Sequence, residues 1–259
     1  FIMYMEGCTK HEAIMKAKEM LNGSTQPIDN LTRAALLTKM FTYFKNGVHN
    51  SKPAKAYIEG RGLDWQELEI GYNSGQFHHG ERKKKSLIAS CIKYGLLLDK
   101  GHVNNRTGEK AYSPFGKFGI VFPLKNKKGQ TVSLYFRSTK DVKGKNHYYL
   151  KDRQGLYPHY PKSDTRKLIL TECIIDAASL LQDEGLKSEY EILSLYGTNG
   201  LTSEHETTIE ALKDLEEIIL FFDGDKAGDE AIKKYAPQLK KLKPNAKITV
   251  VETPRDEDI

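Results

Sequence analysis

Cysteine is scarce in this chain: Cys8, Cys91 and Cys173 stand far apart in 259 residues and never form a Cys-x-x-Cys pair. That spacing argues against a disulfide framework and against a complete zinc site within these residues. A reducing cytoplasm is the simplest compartment. Long apolar runs are also lacking. None approaches the ~18 residues that a membrane span needs, so no membrane partner is expected, and the first residues do not have the pattern of a secretory leader. Neither an internal repeat nor a low-complexity tract interrupts the chain.

What is present is charge, unevenly distributed. Charged residues make up 29% of the chain against 39% hydrophobic, with a net charge of +6. Such a surplus only weakly favours a polyanionic partner. The distribution says more. Basic residues crowd the stretch 82–167, in runs such as Arg82-Lys83-Lys84-Lys85 and Lys125-Asn126-Lys127-Lys128, whereas acidic residues gather from Glu172 onward. The pattern suggests a basic module feeding an acidic, metal-holding one.

Local patterns divide the chain further. Residues 1–21 read as helical, with Thr9 as N-cap and Glu12 as its capping-box partner. Residues 22–30 are linker-like. Helices are expected over 31–44 and from Ser51-Lys52-Pro53 to Arg61-Gly62. Short strands follow over 111–150, with 119–124 and 131–136 forming a hairpin around Lys127-Lys128-Gly129-Gln130. Beyond Arg166 the spacing predicts strands at 167–171, 191–195, 217–222 and 247–251, and helices at 176–183, 203–212 and 229–239. Continuous apolar strands between amphipathic helices imply a parallel sheet covered on both faces, with its ligand site outside the carboxyl ends of the strands.

Three of those strand ends carry acids. Glu172 ends the first, with Asp176 one helical turn on; Asp223 and Asp225 follow the third; Asp256 and Asp258 follow the fourth. Parallel strands would bring these six carboxylates to one edge, where they would repel unless a cation lay between them. All-oxygen ligands suit Mg²⁺ or Mn²⁺, and ions so held support phosphoryl transfer. The plainer reading is that each acid caps a helix, which Asp176 and Asp229 are well placed to do.

At these residues the sequence resembles the TOPRIM domain of topoisomerases, primases and some nucleases. The resemblance rests on Glu172-Cys173-Ile174-Ile175-Asp176, the Gly197-Thr198 turn, Asp223-Gly224-Asp225-Lys226-Ala227-Gly228 and Asp256-Glu257-Asp258. Upstream phrases narrow it to the catalytic cores of bacterial DnaG-type primases, a mobile-element or phage member included. These phrases are Ala56-Tyr57-Ile58-Glu59-Gly60-Arg61-Gly62-Leu63, Glu69-Ile70-Gly71-Tyr72, the stretch from Phe122-Pro123-Leu124 to Phe136-Arg137, and Tyr149-Leu150. The resemblance implies an α/β fold in which a TOPRIM, Rossmann-like parallel-sheet domain at 166–259, truncated at its C-terminus, follows a basic α+β subdomain at 30–165. Residues 1–24 would be the tail of a zinc-binding domain, with the Zn²⁺ ligands lying upstream.

The resemblance further implies a DNA primase, a nucleotidyltransferase making short RNA primers on single-stranded DNA. Glu172, Asp223, Asp225, Asp256 and Asp258 would hold Mg²⁺ or Mn²⁺, and Glu172, Asp176, Asp223 and Asp225 would be catalytic. Arg137, Lys117, Lys145, Lys151 and Lys226 would meet nucleic acid or nucleoside triphosphates, and a replicative helicase would dock through a missing C-terminal region. Some positions depart from the family. Cys173 replaces a glycine, Gly119 an arginine and Tyr148 a lysine, and a basic phrase is missing around Gln154-Gly155-Leu156-Tyr157. Those losses favour an alternative, a decayed nucleic-acid-binding replication module of a mobile element; a TOPRIM nuclease is a third reading. Tyr148, Tyr149, Tyr157 and Tyr160 are either base-stacking residues or, more commonly at strand positions, core residues.

Overall fold

The computed structural model describes residues 31–77, 84–105, 108–140 and 146–254, together with Thr9. The expected zinc-domain tail and the Thr9–Glu12 cap, the His78-His79 pair, Arg82-Lys83, Lys143, Lys145, Asp256 and Asp258 therefore fall outside the described residues, apart from Thr9 itself.

Helix α1 (Arg33–His49) begins where the Thr32 side chain accepts a hydrogen bond from Ala35 N. Helix α2 (Lys52–Glu59) begins at Ser51, whose Oγ accepts from Ala54 N, with Pro53 in the first turn, where its missing N–H costs nothing. Strands β1 (Gly71–Asn73), β4 (Gly119–Lys125), β5 (Thr131–Ser138) and β6 (His147–Tyr149) pair antiparallel in the order β1-β4-β5-β6. The β4–β5 turn closes on Asn126, whose Oδ1 accepts from Lys128 N and Gln130 N, and Gly129 supplies the positive φ of 73°. Helix α1 lies across β1 and β5. A Cβ on Gly71 would stand 2.7 Å from that of Phe44, so only glycine lets the helix approach this closely. Helix α3 (Lys85–Lys93) leads into a separate two-stranded hairpin, β2 (Leu97–Val103) with β3 (Lys110–Pro114). Its outer strand is exposed nearly throughout.

The second sheet is wholly parallel, in the order β10-β9-β7-β8, from β7 (Lys167–Thr171), β8 (Glu191–Ser194), β9 (Glu217–Phe221) and β10 (Lys247–Val250). Helices α4 (Ile174–Leu180), α5 (Glu184–Glu189), α6 (Ser203–Ala211) and α7 (Lys226–Leu242) alternate with the strands. Side chains alternate strictly between two cores. Leu168, Leu170, Leu193, Ile218 and Leu220 pack with α6 and α7, while Ile169, Ile192 and Ile219 face the other way. That second core also contains Ile174, Ile175 and Ala178 of α4, Ile58 of α2, and Ile120, Phe122 and Tyr135 of the antiparallel sheet. The two sheets thus share one apolar interior, each fully buried side chain of this size contributing ~1.5–3 kcal/mol. Gln182 ties the halves at the surface, accepting from Asp64 N at 2.5 Å and donating to Gly62 O at 2.9 Å. No helix among the described residues is long and apolar enough to cross a membrane.

His205 is fully buried in α6 and held at both nitrogens. Nδ1 accepts from Thr202 N at 3.2 Å, so the proton sits on Nε2, which donates to Ser194 O at 3.0 Å. Burial, partly offset by that bond to Ser194, holds its pKa at about 4, below the usual 6.5. The unfolded chain therefore takes up a proton below pH 6.5 that the folded chain resists until about pH 4. Stability from this group is present above that window and is lost as pH falls through it. The melting temperature is expected to fall more steeply across the window in the wild-type chain than in His205→Gln; parallel curves would contradict the assignment.

Candidate active site

The carboxylates come from the carboxyl edge of the parallel sheet. Thr171 is paired with Phe221 in the β7–β9 ladder, so Glu172 and Asp223 leave adjacent strands within two residues of the same level, and neighbouring strands are ~4.8 Å apart. Both residues are half-buried. One oxygen of each, Glu172 Oε2 and Asp223 Oδ1, is shielded from solvent without a hydrogen bond, while each residue has further interactions around it. The Glu172 carbonyl accepts from Gly197 N at 2.9 Å, which fastens the turn after β8 to this edge.

Two glycines set the path between strand and helix. A Cβ on Gly224 would stand 2.0 Å from the Pro254 carbonyl oxygen, and one on Gly228 would stand 2.2 Å from the Asp223 carbonyl oxygen. The β9–α7 turn is therefore pressed between its own strand end and the segment after β10, where Thr253 Oγ1 donates to Phe222 O at 2.6 Å. A groove of about 800 Å³ opens here, lined by Asp223, Asp225, Lys226, Asp229 and Glu252.

The acids divide into two kinds. Asp225 is the N-cap of α7, its Oδ1 accepting from Gly228 N at 2.7 Å, and is exposed. Asp176 is buried in α4, its Oδ2 accepting from Cys173 N at 2.7 Å and its Oδ1 from Cys173 Sγ at 3.0 Å. Burial and then Asp176 push the Cys173 thiol well above its ordinary pKa, so it stays protonated and acts as a capping donor rather than a nucleophile. Among the described residues no three His, Cys, Asp or Glu side chains come together closely enough to hold one ion. Asp225→Ala is expected to cost about 1 kcal/mol of stability, and Asp225→Asn, which keeps the acceptor, very little. A urea titration of both variants separates the cap from any role of the charge.

The basic residues also separate. Arg137, on β5, donates to Tyr57 Oη at 3.3 Å and to His147 Nε2. An arginine only donates, so the His147 proton sits on Nδ1, which reaches Tyr135 Oη at 2.6 Å. Burial, then Arg137 and Arg61, hold His147 down to about 4. Lys117 is exposed beside Phe118, a non-glycine residue at φ 60°, whose ring also lies 3.9 Å from Lys140 Nζ. Lys226 projects into solvent at the start of α7, 3.8 Å from Glu230. Lys151 is exposed, its carbonyl accepting from Arg33 at 2.9 Å. The tyrosines are packing residues. Tyr157 is buried against Phe122, Tyr148 packs on Phe115, and Tyr160 donates to Glu204. The sequence reading passed over Arg153, Tyr196 and His147; alternating tyrosines and cations at residues 147–153 were the available signal.

Residues 169–259 match the Toprim-like family model. The DNA primase of Haemophilus influenzae is 27% identical over 213 residues, which is 76% of this chain and 33% of that protein. Two solved structures are similar: the Aquifex aeolicus primase zinc-binding and RNA polymerase domains (TM-score 0.65, 17% identity, 100% of this chain and 64% of that one) and the DnaG primase catalytic domain bound to single-stranded DNA (0.67, 17%, 87% and 74%). The chain has the fold of a DnaG-type primase core. It spans about a third of the length of the curated primases it matches. The Toprim-like match begins within β7 and takes in Glu172, Asp176, Asp223 and Asp225.

Proposed function

We propose that this chain is the RNA-polymerising core of a cytoplasmic primase, copying single-stranded DNA into short RNA by metal-dependent nucleotidyl transfer. The observation that carries this reading is the exit of Glu172 and Asp223 from adjacent parallel strands, beside a groove lined by further acids. The donor set fits a hard divalent cation, because every candidate ligand is a carboxylate oxygen and the groove is wide enough to keep ion-bound water. Glu172 and Asp223 would hold Mg²⁺ or Mn²⁺ directly and Asp225, whose Oδ1 accepts from Gly228 N, through ion-bound water, with Asp256 and Asp258 expected to join them from the segment after β10. Bound there, the ion supplies neutralisation of triphosphate charge and lowers the pKa of the attacking 3′-hydroxyl.

The chain's own residues supply position. Gly224 and Gly228 hold the two strand ends and the α7 N-terminus together, and Lys226 stands at that terminus, where phosphate is favoured. The part before residue 166 would guide the template. Lys117, Phe118, Lys140 and Arg137 follow the β4-start and β5-end edge of the antiparallel sheet. Arg137 also donates to Tyr57, which packs against the same core as Cys173, the residue after Glu172. A strand held through phosphates loses affinity steeply with salt. The test is ribonucleotide incorporation on single-stranded DNA with Mg²⁺ or Mn²⁺. RNA products of wild type that are missing with Glu172→Gln support the reading; cutting of the template without synthesis would replace it with a nuclease.

A further inference from the structure

Arg153 stands in the loop between β6 and β7 and is exposed. Its guanidinium lies 4.8 Å from the Tyr149 ring centre and 4.2 Å from that of Tyr196, and these rings meet each other at 5.3 Å. Both tyrosines are fixed from behind. Tyr149 packs on Tyr135, and Tyr196 donates to Gly155 O and packs on His205. The nearby acid, Glu204, is occupied by Gly155 N at 2.9 Å and by the Tyr160 hydroxyl. Among the described residues Arg153 forms no ion pair, so the aromatic faces orient its charge and nothing neutralises it.

The location gives that charge a use. Tyr196 follows β8, and the next residue, Gly197, donates to the carbonyl of Glu172 at 2.9 Å. Tyr149 and Tyr196 pack against the same core as Cys173, the residue after Glu172. Arg153 therefore stands at the carboxylate edge, on the β8 side of Glu172, while the groove beside Asp223 opens on the other. A stacked guanidinium keeps its planar fork of donors free, a geometry that matches phosphate oxygens. We infer that Arg153 is a phosphate-binding residue of this edge, taking a phosphate of the incoming nucleoside triphosphate or of the nucleic-acid strand. Its part in turnover rests on the nucleotidyl-transfer reading; its phosphate binding does not.

The test uses the full chain, equilibrium binding of ATP and of a single-stranded oligodeoxynucleotide, and the variants Arg153→Gln and Arg153→Lys. Glutamine keeps a planar group against the rings and removes the charge. Losing one charge-assisted bond should weaken binding roughly tenfold or more, with partial recovery in Arg153→Lys. A loss confined to ATP assigns the nucleotide, raising KM with kcat little changed; a loss confined to the oligodeoxynucleotide assigns the strand. Wild-type affinity of Arg153→Gln for both ligands overturns the inference. Where Arg153→Gln also lowers the melting temperature, Arg153→Lys decides. Binding that recovers without the melting temperature supports the inference, and binding that only tracks the melting temperature overturns it. A wild-type chain that binds ATP but makes no RNA counts against the primase reading alone.

Discussion

Glu172→Gln and Asp223→Asn are each expected to lower RNA synthesis by roughly a hundred- to a thousandfold, the rate equivalent of the several kcal/mol a bound ion contributes to a phosphoryl-transfer transition state. Neither should destabilise the fold. Two like charges about 5 Å apart repel by roughly 3 kcal/mol at an effective dielectric constant of ~20. Glu172 and Asp223 leave adjacent strands, so neutralising one relieves the other. The signature is a large loss of activity with an unchanged or raised melting temperature in metal-free buffer. Steady-state synthesis and a thermal melt on the same preparations check it. Activity within tenfold of wild type, or parallel losses of activity and stability, would contradict the assignment.

Gly228→Ala is expected to disturb the structure of the site. The added methyl would stand 2.2 Å from the Asp223 carbonyl oxygen, so strand end and helix start must separate. Overpacking of this kind costs typically ~1–3 kcal/mol. The displacement falls on the segment that carries Asp223 and Asp225, so divalent-cation affinity should fall as well. A lowered urea midpoint with weakened Mg²⁺ affinity is the expected result. An unchanged midpoint would mean that the turn has slack which this packing does not suggest.

The acidic half is legible in the sequence because its strands are continuous apolar runs with βα spacing. The expected strand at 167–171 coincides with β7, and those at 191–195, 217–222 and 247–251 each run one residue beyond β8, β9 and β10. Helix α7 begins three residues before the expected 229, because Asp225 rather than a later residue caps it. Helix α4 likewise begins at Ile174 rather than at 176, and ends at Leu180. The basic half is less legible. The β4–β5 hairpin follows its apolar alternation, but α3 and the β2–β3 hairpin are not foreseen. Strand β2 is exposed on both faces after Leu97 and so has no period of two, and α3 buries only Leu87 and Cys91. In the site, the motif puts Asp176 and Asp225 in one class with Glu172 and Asp223. Only the fold separates them, since a cap depends on where a helix starts. Arg153 escapes motif reading for a related reason: its environment is built by tyrosines 4 and 43 positions away.

The most direct test is where a divalent ion binds. In a crystal of this chain soaked with Mn²⁺, the anomalous signal is expected between Glu172 and Asp223 at the carboxyl edge of the parallel sheet, and it should vanish in Glu172→Gln. A strong Mn²⁺ peak elsewhere with that edge bare, or one that persists at full height in Glu172→Gln, would contradict the account.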